Sequence, residues 1–80
     1  MRYGIQETLG KCIKAVIVAE SPNTPKKQAF LIFTDDTHFE FYHTESGFAW
    51  TARVDPGGID KVRSYIANFP EARIVYEGLS

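Results

Sequence analysis

Hydrophobic and polar positions alternate along most of the chain, and that alternation predicts strands. Residues 11–20, KCIKAVIVAE, contain the β-branched run Val16-Ile17-Val18. The run is apolar on both faces, as expected of a strand inside a sheet rather than at its edge. Pro22 and Pro25, with Ser21 and Asn23, then break the pattern into an exposed loop. Residues 28–34, QAFLIFT, place Phe30 and Ile32 on one face and Ala29, Leu31 and Phe33 on the other, so this strand also reads as central. Asp35-Asp36 predicts a tight two-residue hairpin turn, since Asp tolerates the backbone such turns need. Residues 37–43, THFEFYH, alternate cleanly, with Thr37, Phe39, Phe41 and His43 against His38, Glu40 and Tyr42. A four-residue turn, TESG, ends in Gly47 and leads into FAWTARV, residues 48–54.

The period changes at Asp55-Pro56, an N-cap residue followed by the residue best suited to the first helical position. Ile59, Val62, Tyr65, Ile66 and Phe69 then recur at helical spacing and form one apolar stripe, opposite Lys61, Ser64 and Asn68. Pro70 ends the helix, and ARIVYE, residues 72–77, forms a last strand. Residues 1–10 read as irregular. The element order is therefore β-β-β-β-α-β. Short connections favour an antiparallel meander, and the helix returns the chain so that the last strand pairs with the first. The expected fold class is α+β: an antiparallel sheet of about five strands, order 5-1-2-3-4, with one amphipathic helix on one face.

With the two-residue hairpin, Phe30, Ile32, Phe39, Phe41, Phe48 and Trp50 fall on a single face, which the helix stripe should cover. That is the expected core, and it accounts for most of the aromatic residues, which make up 14% of the chain. The other face then carries Leu31 and Phe33 beside His38, Glu40 and Tyr42, with Thr51 opposite Glu40 and Arg53 opposite His38. One helix cannot cover both sides of a sheet. This second face has three readings: a wet amphipathic surface with an ordinary Glu40–Arg53 ion pair, an interface built on Leu31, Phe33 and Tyr42, or a small-ligand or catalytic pocket. In the pocket reading His38 acts as base, Glu40 orients it and Arg53 holds an anion. The interface reading is preferred, with a second copy or a protein partner docking on this helix-free face or on an edge strand; the alternative is a pocket of His38, Glu40, Tyr42 and Arg53 completed by a second subunit.

Composition narrows the remainder. At 80 residues and 24% charged, the chain reads as one small globular domain, of a size that often gains stability by self-association. A net charge of −1 offers no positive field for nucleic acid; the adjacent pair Lys26-Lys27 is all that favours it. One cysteine, Cys12, cannot staple the fold, so a cytoplasmic location is expected, with Cys12 acting as a small buried hydrophobe in its apolar run. No segment is long and apolar enough for a bilayer, and the start at Met with no apolar signal core reads as a complete small gene product. His38 and His43 are an odd number of residues apart and so lie on opposite faces of a strand, which argues against a shared metal ion. No phosphate-binding loop, nucleophile elbow or cofactor motif is present, so no cofactor is expected and no catalytic residue is assigned.

Overall fold

The computed structural model describes residues 4–23 and 25–79. It consists of an antiparallel sheet and one helix. β1 (Ile13–Glu20), β2 (Lys27–Phe33), β3 (Thr37–Thr44) and β4 (Gly47–Trp50) form the meander; a two-residue strand β5 (Asp55–Pro56) precedes α1 (Ile59–Ala67), and β6 (Arg73–Leu79) closes the chain. The strand order is β4-β3-β2-β1-β6, with β6 antiparallel to β1. The predicted order and handover from helix to last strand are thus observed, and β1 and β2 are interior as their doubly apolar patterns require. Residues 4–8, expected to be irregular, form a 3-10 helix, while residues 1–3 lie outside the described residues.

The β2–β3 register differs from the expectation by one residue, and this changes every face beyond it. Ile32 stands opposite His38, Leu31 opposite Phe39 and Phe30 opposite Glu40. The turn holds three residues, not two. The Asp36 amide donates to the Phe33 carbonyl at 3.1 Å, and Asp36 itself takes the left-handed conformation at φ 62°. This is a three-residue hairpin in which a type I turn is followed by one αL residue, a position Asp tolerates better than most. Because side chains alternate with period two, the slip exchanges the faces of β3 completely.

The helix therefore packs on a different set of residues. Val62 and Ile66 close over Ala15, Ile17, Ala19, Phe30 and Ile32, with Ile59 and Ala72 at the margin. Removing these aliphatic and aromatic side chains from water stabilises the fold by roughly 1.5–3 kcal/mol for each large one. The helix-side surface of β3 carries His38, Glu40 and Tyr42. Phe39, Phe41, Phe48 and Trp50, expected in the core with Phe30 and Ile32, lie on the helix-free face instead. Phe39 is still fully buried, but Phe48 is 68% exposed.

The fourth strand and the helix start also change. β4 ends at Trp50. Thr51 remains opposite Glu40, its amide donating to the Glu40 carbonyl at 3.1 Å, but residues 52–54 bulge out before the chain rejoins β3 at Asp55. Asp55 and Pro56 do not open the helix: they pair with His38 and Thr37. Pro56 has no N–H to donate, which the outer edge of a sheet tolerates. Gly57, at φ 111°, turns the chain, and its amide donates to the Asp36 carbonyl at 2.8 Å. The helix begins two residues later, behind Gly58.

The N-terminal segment closes one end of the helix-free face. Gly4 sits against the Ala52 backbone, where a side chain would have no room, and Glu7 accepts the Val54 amide at 2.8 Å. Further on, the Lys11 ammonium lies 5.7 Å from the centre of the Phe33 ring and pairs with Asp35, and the Cys12 carbonyl accepts the Thr34 amide. Phe33 and Phe39 are buried at this end of the sheet. Cys12, expected to be buried, is exposed; it lies just before β1 begins, outside the alternation that buries Ala15, Ile17 and Ala19.

Candidate functional site

The residues singled out from the sequence separate into two places. His38, Glu40 and Tyr42 stay together, since period two within one strand cannot be undone by a register shift. They face the helix side, with Thr51 beside Glu40. Leu31 and Phe33 face away from them, on the other side of the sheet: Leu31 half-buried, Phe33 in the closed N-terminal end. Arg53 is exposed on the bulge, and the residue opposite His38 is Asp55.

The first place is a trough beside the helix. Val62 and Ile66 hold α1 over β1 and β2, so the helix-side residues of β3 form a floor that α1 flanks and does not cap. Two cavities, of about 320 and 460 Å³, share Glu40, Thr51 and Tyr65 and so form one continuous trough. One end adds His38, Asp55, Pro56 and Lys61; the other adds Tyr42, His43, Pro25 and Phe69. Tyr65 meets Phe30 edge-on at 6.0 Å and Phe69 at 5.3 Å, which fixes the aromatic wall.

Two buried polar groups form the floor. His38 is 8% exposed and uses Nδ1 against the Gly57 carbonyl at 2.9 Å, so Nδ1 carries the proton in that contact and Nε2 is left to the trough. Glu40 is also 8% exposed, and its Oε2 accepts a 2.8 Å hydrogen bond from the buried Gln28 side-chain amide. Among the described residues no enclosed side-chain oxygen lacks a partner, so the second Glu40 oxygen opens to the trough. Burial pushes the Glu40 carboxyl up; the Gln28 hydrogen bond and the His38 ring oppose this, and Asp55 adds to it. Burial likewise pushes the Tyr65 phenol up, reinforced by Glu40, Asp55 and Tyr42. Among the described residues the trough lining carries two carboxyls, Glu40 and Asp55, and one ammonium, Lys61.

The second place is the open part of the helix-free face. Alternation puts Val16 and Val18 of β1, Ala29 and Leu31 of β2, Phe41 of β3, Phe48 and Trp50 of β4 and Tyr76 of β6 on it. Phe41, Phe48 and Trp50 form an aromatic triad with ring centres 5.9–6.5 Å apart. Tyr76 is 58% exposed, and its ring lies over Gly78, whose missing side chain makes the room. Charged residues on this face, Glu20, Lys27 and Arg73, gather at one end, where Glu20 faces Lys27 on one side and Arg73 on the other. The sequence pointed to a helix-free binding face, but the hairpin register led it to different residues. Asp55 and Tyr65 were not identified for the trough: the first was read as a helix cap, the second as core stripe.

Among the described residues no helix is long and apolar enough to cross a membrane, and no group of His, Cys, Asp and Glu is placed to hold a metal ion. Comparison with known proteins returns no family model, no curated protein and no solved structure that matches the chain.

Proposed function

We propose that the chain is a small non-catalytic interaction protein that self-associates through its helix-free sheet face. The observation that carries this reading is the apolar surface from exposed Tyr76 across half-buried Val16, Val18 and Leu31 to the triad of half-buried Phe41 and Trp50 with exposed Phe48. Surfaces of that extent are normally covered. A second copy fits for three reasons. The molecule is a slab of 34 × 30 × 17 Å, so its broad face, closed at one end by the N-terminal segment, offers at most roughly 1,000 Å², against about 800 Å² per partner in a standard interface. A net charge of −1 opposes association only weakly. Sheet-on-sheet packing would also turn two half-covered sheets into a closed sandwich core about 10 Å thick.

Light scattering on a sizing column over a wide concentration range tests this. The unmodified chain should run as a dimer and Phe48→Glu as a folded monomer, because Phe48 is too exposed to matter to the monomer's own fold. A unmodified chain that remains monomeric at about 1 mM, weaker than any specific interface of this size, overturns the reading. So does a dimer that persists in both Phe48→Glu and Trp50→Glu.

A further inference from the structure

We infer that the trough between α1 and β3 is a binding site for a small organic cation, an ammonium or guanidinium group on an apolar stem, with Glu40 and Asp55 supplying the counter-charge. The site lies on the side of the sheet away from the proposed dimer face, so the two stand or fall separately.

The first argument is charge. Glu40 is buried, and among the described residues its carboxyl has one hydrogen-bond partner, the neutral Gln28 amide. No Lys or Arg among the described residues forms an ion pair with Glu40 or Asp55. A buried carboxylate without a cation is costly, and proteins normally pair it or keep it protonated. The upward push on Glu40 and on the Tyr65 phenol has the same origin and would be relieved by a positive group placed between them.

The second argument is shape and surface. Cavities of about 320 and 460 Å³ that share Glu40 are large enough for a small molecule. Tyr42, Tyr65 and Phe69 line the wider end, and aromatic faces attract cations as well as covering apolar stems. Lys61 borders the other end, so a cation is expected to enter on the Tyr42 and Phe69 side, where the lining holds no ammonium.

Phenethylammonium is a suitable probe, with phenethyl alcohol and phenylpropionate as its neutral and anionic counterparts, followed by two-dimensional amide NMR at pH 7.5. Saturable shifts at Glu40, Thr51 and Tyr65 are expected, with a Kd on the order of 1 mM as befits one ion pair and one aromatic contact. Glu40→Gln should weaken binding by about tenfold or more, the loss of one charge-assisted contact. Asp55→Asn should also weaken it, which keeps the test valid should the first variant fail to fold. Absence of saturation below about 50 mM, a range well beyond specific recognition, overturns the inference. Equal binding of the alcohol, or binding unchanged in both variants, overturns it too.

Discussion

The Gln28 side-chain amide donates a 2.8 Å hydrogen bond to Glu40 Oε2, joining the helix-side surfaces of β2 and β3 where both residues are buried. Gln28 stands opposite Tyr42 and Phe30 opposite Glu40, so the bond runs diagonally between strands. Among the described residues it is the buried carboxyl's one direct partner. Replacing Gln28 with Leu should cost about 1–3 kcal/mol, the usual penalty for leaving a buried polar group unpaired. Urea unfolding measures the loss, and a carboxyl-detected NMR titration should show Glu40 pushed still further up.

Stability should fall as pH rises through the window that starts near the ordinary carboxyl value of 4.5 and extends upward to the raised Glu40 value. In that window the folded state holds a proton that the unfolded state has released. Below it both states are protonated and there is no penalty. Asp35 acts in the opposite sense at lower pH: Lys11 and Thr37 hold it below its ordinary 3.8, so its contribution is lost as the solution is acidified through that region. Glu40→Gln keeps a partner for Gln28 but cannot ionise. The stability difference between Glu40→Gln and the unmodified chain should therefore grow in favour of the variant from pH 4 to pH 8, measured by urea midpoints. A difference independent of pH would count against a raised Glu40 pKa.

Truncating aromatic residues on the helix-free face should separate the closed end from the open one. Phe39→Ala empties a fully buried site and should cost about 3–5 kcal/mol, whereas Phe48→Ala should cost under about 1 kcal/mol to the monomer. Under the register expected from sequence alone, both residues belong to one core and both substitutions would be severe. Denaturation at a concentration low enough to keep the chain monomeric distinguishes the two.

The register itself depends on Asp36. Asp36→Gly should leave stability within about 0.5 kcal/mol, since glycine favours the left-handed conformation while the exposed pair with Lys14 contributes little. Asp36→Ile should cost about 1–2 kcal/mol, because a β-branched side chain is strained at φ 62°. Urea unfolding again provides the readout.

The sequence by itself determined the four-strand antiparallel meander, the helix after it with Val62 and Ile66 on its buried side, the last strand, and the grouping of His38, Glu40 and Tyr42, but neither the short β5 nor the exposure of Tyr65. The features it determined are local properties: period two within a strand and a period of 3.6 within a helix persist in any tertiary context. The β3–β4 register was legible too, because Phe41 opposite Trp50 follows from a turn that ends at Gly47. The β2–β3 register was not. β2 is apolar on both faces, so the hydrophobic pattern is satisfied equally well with β3 in either phase, and the choice passes to the backbone of a three-residue turn. Tertiary structure also decided the role of Asp55 and Pro56. Their local signal is that of a helix start, but pairing with His38 and Thr37 and the Gly57 tie to Asp36 hold them on the sheet. From those two decisions follow the trough, with Asp55 and Tyr65 in it, and the exposed aromatic face, because each depends on which side of β3 meets the helix.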